Sequence, residues 1–160
     1  MSASDDADLL ATIAMLEGHE RDLVFARFDN DDAWRLGCVL VELARERALA
    51  VTVDVRRGSQ QLFHAALPGT AQDNDSWVER KARVVERFGT SSYLAGLSPM
   101  AQGTTFAARH VLPFQQFTAL GGAFPIKVRD VGIVGAVTVS GLLPADDHAL
   151  VVDALRIFLA

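Results

Sequence analysis

The chain has a single cysteine, Cys38, among its 160 residues. One cysteine excludes an intrachain disulfide and is compatible with a reducing compartment. No apolar run approaches the ~20 residues that a membrane-spanning helix needs, and the longest, Val131 to Val139, is interrupted by Gly132 and Gly135. The acidic start, Met1 to Asp6, lacks the basic residues and apolar core of a secretory signal. These absences predict a cytoplasmic protein that does not enter membranes.

Positive charge is also in short supply. Lysine and arginine together number 15 against 20 acidic residues, so the formal net charge is −5. Because nucleic-acid binding needs a basic surface that replaces counterions, we expect no nucleic-acid partner. Half of the residues are nonetheless hydrophobic. This apolar excess predicts an interface between copies of the chain, and hence a homo-oligomer.

The motifs of several common enzyme classes are absent as well. The sequence contains no GxxxxGK[ST] phosphate loop, no CxxC pair, no HExxH zinc motif and no GxSxG nucleophile motif. None of the four histidines lies three or four residues from another, as a zinc pair on one helix would. His19 and His148 are predicted to be surface residues at helix ends. The sequence therefore names no catalytic residue.

Hydrophobic periodicity and turn residues predict an alternation of helices and strands. Helices are expected at Asp5 to Glu17 (with Gly18 as its stop), Asp31 to Ala48, Ser76 to Phe88, Ser91 to Leu97 and from Pro144 onward; strands are expected at Leu23 to Phe28, Ala50 to Arg56, Gln60 to Ala66, Phe124 to Val128 and Val131 to Ser140. Two hairpins indicate a mainly antiparallel sheet with helices packed on it. The predicted fold is α+β, of the profilin-like or PAS-like kind, in one domain over residues 1–160.

His64, in the second strand of the first hairpin, is the candidate metal ligand. If Gly58 and Ser59 form the turn, His64 lies opposite Val53 on the apolar face. A register shift of one residue would place it opposite Thr52 instead. A buried imidazole there could bind a metal ion or haem iron, or it could be a core or rim histidine that bonds to the backbone.

A basic row on the third long helix is the first candidate for ligand binding. It comprises Arg80, Lys81, Arg83 and Arg87, and Trp77 lies one turn earlier. The row could hold a carboxylate, a haem propionate or a phosphate. It could equally be a solvated helix face or pair with acidic residues of this chain or of a neighbouring subunit. Trp77 is either a core residue or a stacking platform.

The segment from Gly121 to Ile126 is the second candidate. Its two glycines allow tight backbone geometry, and Pro125 restricts Phe124 to extended conformations. Such a segment forms either a pocket wall or a strand entry. The predicted ligand-binding set is therefore Trp77, Arg80, Lys81, Gly121, Gly122, Phe124 and Pro125, with His64 as the candidate metal ligand.

Two stretches carry a family resemblance. The segment Gly121 to Ile126, followed by Val131 to Gly141, resembles the GG-x-PI … G-x-x-GA-x-x-VSG segment of the haem-degrading domain family, also called GlcG/HbpS-like. Asp146-Asp147 at the head of the last helix fit the same pattern. The stretch Asp73 to Ser92 resembles the DN-x-x-W-x-x-RK-x-x-x-V-x-RF-x-x-SS pattern of the family's short-chain UPF branch.

The resemblance implies a five-stranded antiparallel sheet flanked by helices, and assembly into symmetric oligomers. Some relatives are linked to binding or degrading haem, which makes haem the cofactor to consider. The leading hypothesis is an oligomeric protein that binds haem or another small anionic molecule. The alternatives are a non-enzymatic oligomeric adaptor and an enzyme that degrades haem or acts on a small organic acid.

Overall fold

The computed structural model describes residues 2–160 and has an α+β architecture. Its elements, in chain order, are α1 (Ala3–Asp22), α2 (Asn30–Glu46), β1 (Thr52–Arg57), β2 (Gln60–Ala66), α3 (Gln72–Phe88), α4 (Ser92–Leu97), a short 3₁₀ helix (Met100–Gln102), α5 (Phe106–His110), β3 (Ala123–Val128), β4 (Gly132–Ser140) and α6 (Pro144–Leu159). The predicted helices and hairpins are all present, with ends that differ by a few residues.

Helix α1 continues past the predicted stop at Gly18. Its last turn is held from outside the helix, because Glu20 Oε1 accepts hydrogen bonds from the Ser91 backbone N–H and the Thr90 hydroxyl, both at 2.7 Å. A glycine inside a helix costs only about 1 kcal/mol relative to alanine, which contacts of this kind can offset. The helix ends at Leu23, whose N–H donates to the His19 carbonyl.

Within residues 2–160 the sheet has four strands in the order β2-β1-β4-β3, and all neighbouring pairs are antiparallel. The expectation of five strands is wrong. The predicted strand Leu23 to Phe28 contributes only a single parallel bridge, between Phe25 and Val128. Since Leu23 caps α1 and Asp29 caps α2, the few residues between them are too short a connection to pair along β3.

Helices cover both faces of this sheet. Helices α2 and α6 pack on the face that carries Val53, Val55 and Val137, and these elements form the main hydrophobic core. Helix α3 packs on the opposite face, against a smaller apolar cluster that contains Ala123 and Ala136. The main core therefore lies on one side of the sheet, and polar groups can be held beneath α3 on the other.

A bulge in the β1–β2 hairpin corrects the predicted position of His64. The register shifts between Val55 and Arg56, so that His64 pairs with Asp54 rather than with Val53 or Thr52. The extra residue moves His64 to the sheet face that lies under α3. There its Nε2 lies 2.6 Å from Asp75 Oδ1, and a third of the His64 side chain is exposed.

The expectation that His148 lies on the surface is also wrong. Its side chain is 2% exposed, because the turn of α6 that carries it packs under α1 and α4. Its Nε2 lies 3.2 Å from Nδ1 of the half-buried His19, and the rings of Tyr93 and Phe124 lie beside it. The Nδ1 atom of His148 is buried and has no hydrogen-bond partner within residues 2–160.

Candidate functional site

A buried ion pair joins α3 to the beginning of α6. The Lys81 ammonium donates to Asp147 Oδ2 at 2.7 Å and to the Val139 carbonyl at 3.1 Å. The two side chains are 4% and 1% exposed. The other carboxylate oxygen of Asp147 accepts from the Leu142 N–H at 3.0 Å. An ammonium has three N–H donors, and acceptors within residues 2–160 account for two of them.

Burial pushes both members of the pair toward their neutral forms. Loss of water lowers the pKa of Lys81 and raises the pKa of Asp147, while the attraction between the two groups opposes both changes. The amine and the carboxylate therefore differ less in their affinity for a proton than an exposed amine and an exposed carboxylate do. Such a pair can accept or release a proton when a third group approaches.

Glycine at position 122 allows this pair to form. Gly122 has a φ of 133°, and a Cβ there would lie 2.4 Å from the Val139 carbonyl oxygen and 2.7 Å from Lys81 Nζ. Its own carbonyl accepts from the Val139 N–H at 2.9 Å. At the preceding position, a Cβ on Gly121 would lie 2.0 Å from the Pro144 carbonyl oxygen. Both glycines thus let the backbone pass close to the end of β4 and the start of α6.

The ion pair lines a cavity of about 230 Å³. Its walls combine the amine and carboxylate of the pair, an amide side chain, one aromatic ring and several aliphatic side chains. The lining residues are Asn74, Trp77, Lys81, Leu120, Ser140, Gly141, Leu142, Pro144 and Asp147. A small site in which a few polar groups converge between apolar walls is typical of pockets that bind small molecules.

Arg80 does not line this cavity, but it contacts the Trp77 ring, which does. Its guanidinium carbon is 3.9 Å from the centroid of the Trp77 ring and 5.5 Å from that of Phe114. The residue is 8% exposed, and its Nε donates to the Ser76 carbonyl at 3.2 Å. No carboxylate within residues 2–160 forms an ion pair with Arg80. The guanidinium is held by two aromatic faces rather than by an acidic side chain.

The structure brings together part of the predicted ligand-binding set. Trp77 and Lys81 line the cavity, and Gly122 contacts the Lys81 amine. Phe124 instead packs in the main core on the other face of the sheet. Pro125 is buried and lines a separate groove with Glu20, Arg21 and Lys127.

His64 lies away from the lining of this cavity, in its pair with Asp75. Within the part of the chain that the structure describes, no three His, Cys, Asp or Glu side chains cluster in a way that could hold a metal ion. A metal on His64 would need ligands from elsewhere, and this role stays a prediction.

Sequence reasoning missed Asp147 as a site residue. The family pattern marked Asp146-Asp147 at the head of the last helix, but no local spacing connects position 147 with position 81. The pairing depends on β4, which ends at Ser140 and brings the start of α6 against the middle of α3. The available signal was the spacing of Lys81 with Trp77 and Val84 along one side of the helix, because a lysine on a side that packs into the fold needs an acidic partner.

None of the helices in residues 2–160 is both long and apolar enough to cross a bilayer. The chain is similar to known proteins over most of its length. The UPF0303 protein of Streptomyces coelicolor is 59% identical over 148 residues, which cover 92% of this chain and 94% of the relative. The UPF0303 protein of Streptomyces avermitilis is 57% identical over 148 residues, covering 92% and 91%.

Solved structures share the fold. The crystal structure of the Ybr137w protein has a TM-score of 0.82 at 28% identity and covers 91% of this chain and 86% of its own. The crystal structure of HbpS has a TM-score of 0.66 at 18% identity, with coverages of 84% and 91%. That of a PduOC:heme complex has a TM-score of 0.67 at 17% identity, with coverages of 81% and 93%.

The family assignment rests on most of the chain. Residues 28–156 match the sequence model of the family described as haem degrading protein HbpS-like. This match spans α2 to α6 and includes both the Lys81–Asp147 pair and the glycines beside it. The resemblance seen in the sequence motifs is thereby confirmed, and the chain belongs to the HbpS-like haem-degrading protein family, among the UPF0303 proteins.

Proposed function

We propose that this chain binds a compact organic anion, a small carboxylate, in the cavity lined by Trp77 and Lys81. The observation that carries the proposal is the buried Lys81 ammonium, which lies at the wall of a cavity and has one N–H donor beyond those used by Asp147 and Val139. A carboxylate oxygen is a strong acceptor for that donor.

A second cation near the cavity supports an anion. Lys81 and Asp147 cancel each other, and Arg80 adds a positive charge that forms no ion pair with an acidic side chain of residues 2–160, although the Asp73 carboxylate accepts from Trp77 Nε1 at 2.9 Å. An anionic ligand beside Trp77 would pair with the Arg80 guanidinium. The ring and the aliphatic walls would cover the carbon atoms of the ligand.

The dimensions of the cavity favour a compact ligand over haem. Pockets that enclose drug-sized molecules measure about 300–1,000 Å³, and this cavity, at about 230 Å³, is smaller. Haem iron is held by His, Cys, Met or Tyr, and no such side chain among residues 2–160 lines the cavity. The residues here therefore do not fit haem. A haem site on this chain would have to lie elsewhere, for example at an interface.

The experiment is a calorimetric titration with lactate and with lactamide, which has nearly the same shape but no charge. We expect saturable binding of lactate, little binding of lactamide, and loss of lactate binding in Lys81→Met. The matched control is Lys127→Met, which removes the only other lysine, an exposed residue on β3, and should bind lactate normally. Equal binding of both compounds, or binding that survives Lys81→Met in a folded variant, would contradict the proposal.

A parallel titration with haemin examines the family's implied cofactor. Under our proposal, a saturable change in haem absorbance should be the same in the wild type and in Lys81→Met. A haem signal that depends on Lys81, with no lactate binding, would replace the small carboxylate by haem as the ligand of this site.

We further propose that the protein is a homo-oligomer. The support comes from apolar side chains at its surface. Trp34 is 61% exposed and stacks edge-on against Phe63 of β2, an outer strand of the sheet. Leu10 and Met15 are likewise exposed on α1. Light scattering after size exclusion should give a mass above one chain, and Trp34→Glu should lower it. The cytoplasmic location stays a prediction from the sequence.

A further inference from the structure

We infer that the Lys81 amine condenses reversibly with the carbonyl group of an oxo acid and holds it as an imine. This inference rests on the proposed function, since it names the class of carboxylate that the cavity takes. It assigns the amine a covalent role in addition to its charge. The substrate class is a short oxo acid, with a ketone or aldehyde next to the carboxylate.

Geometry provides the first argument. An amine that attacks a carbonyl must reach a ligand while remaining largely shielded from water. Lys81 is 4% exposed, yet it lines the cavity. Leu120, Leu142 and the Trp77 ring form apolar walls of the same space. The amine thus combines deep burial with access to a ligand in the cavity.

The second argument is the position of Asp147. Its Oδ2 lies 2.7 Å from Lys81 Nζ, within the range for direct proton transfer. Burial also lowers the pKa of Lys81 and raises that of Asp147. Both changes increase the fraction of the neutral amine, which is the nucleophilic form, and of the neutral acid, which can donate a proton.

The proposed step balances without any further reactant. The Lys81 ammonium gives one proton to the Asp147 carboxylate, and its lone pair then forms a bond to the carbonyl carbon. After proton transfer from nitrogen to the former carbonyl oxygen, the carbinolamine hydroxyl takes the proton of Asp147 and leaves as water. The product is a C=N bond in place of the C=O bond, and one water is released.

The chain offers an internal control for this chemistry, because Lys81 and Lys127 are its only lysines. Lys127 is exposed on β3, and its side chain forms neither a hydrogen bond nor an ion pair with another side chain of residues 2–160. In an ordinary protein the exposed lysine would be the one that reagents modify first. The inference predicts the opposite order.

The experiment treats the folded protein with pyruvate and sodium cyanoborohydride, which reduces imines to stable amines, and locates the adduct by peptide mapping. We expect Lys81 to be modified at least about tenfold faster than Lys127. Unfolding the protein in urea should abolish this preference, and lactate should protect Lys81. Asp147→Asn should slow modification of Lys81 and leave Lys127 unchanged.

The outcomes separate this inference from the proposed function. Modification confined to Lys127, or equal at both lysines, overturns the inference; if lactate still binds in a Lys81-dependent manner, the proposed function stands without it. Preferential modification of Lys81 supports the inference even if lactate fails to bind. In that case Lys81 recognises the carbonyl group of the ligand, and the proposed function is wrong in assigning it a carboxylate.

Discussion

Acidification should destabilise the protein through His148. Burial, together with the adjacent His19 ring, lowers the pKa of His148 to about 4 from an ordinary value of 6.5. The unfolded chain binds this proton more readily than the folded chain does, so His148 destabilises the fold only as the pH drops. The free energy of unfolding should keep its full value above about pH 6.5 and fall as the pH approaches 4.

The size of the effect follows from the two pKa values. The pKa of His148 differs by about 2.5 between the unfolded and the folded chain. At about 1.4 kcal/mol for each pKa unit, the free energy of unfolding should fall by about 3 kcal/mol between pH 6.5 and pH 4. Other groups act in the same range. The pKa of His19 is also lowered, first by burial and then by Arg156, whereas Asp147 has a raised pKa and contributes in the opposite direction. The comparison must therefore be made against a variant.

His148→Leu is that variant. His148→Leu removes one hydrogen bond, from Nε2 to the half-buried His19, and one buried nitrogen, Nδ1, that has no partner within residues 2–160. Because these two effects oppose each other, leucine should change stability at neutral pH by no more than about 1 kcal/mol. Urea unfolding from pH 7 to pH 4 should show that His148→Leu loses about 3 kcal/mol less than the wild type. The control His64→Gln, which removes a partly exposed imidazole, should retain the acid sensitivity. Equal acid sensitivity in His148→Leu and the wild type would refute the reasoning.

Two further predictions concern the ion pair and its surroundings. Gly122→Ala should lower the free energy of unfolding by about 2–4 kcal/mol, because its Cβ would overlap the Val139 carbonyl and the Lys81 amine. The control is Gly103→Ala, which is also at positive φ but in open space and should cost about 1 kcal/mol. Equal costs for the two variants would contradict the overlap at position 122. Lys81→Met and Asp147→Leu should each cost about 3–5 kcal/mol in urea unfolding, whereas the double variant should recover most of one loss. Additive losses would show that the pair is not coupled.

Local sequence patterns predicted most of the fold. The stripe of apolar residues in α2 and the alternation in β1 and β2 reflect short-range constraints that a sequence displays directly. The pairing along β3 was harder to predict than these elements, because Phe25 has strand-like neighbours but lies between two capped helices. The register of His64 was also missed, since a single extra residue in a hairpin leaves no signature in the alternation until both strands are aligned.

The candidate site was predicted in part. Trp77 and Lys81 share a helix face by spacing alone, and the glycines at 121 and 122 predicted tight backbone geometry in a pocket wall or a strand entry. What they approach could not be read from the sequence, because Lys81 and Asp147 are separated by 66 positions and meet only after the sheet has formed. Phe124 directly follows Ala123, and because successive strand residues point to opposite faces, Ala123 lies under α3 whereas Phe124 packs in the main core.

The central claim is that a small carboxylate binds at the Lys81 amine. With only two lysines in the chain, protein labelled with ¹³C and ¹⁵N at lysine gives two sets of side-chain NMR signals, and Lys81→Met assigns them. Lactate should shift the Lys81 side-chain signals in a saturable manner and leave those of Lys127 unchanged, while lactamide should shift neither. If lactate leaves Lys81 unmoved at saturating concentration, or shifts both lysines alike, the cavity is not an anion site.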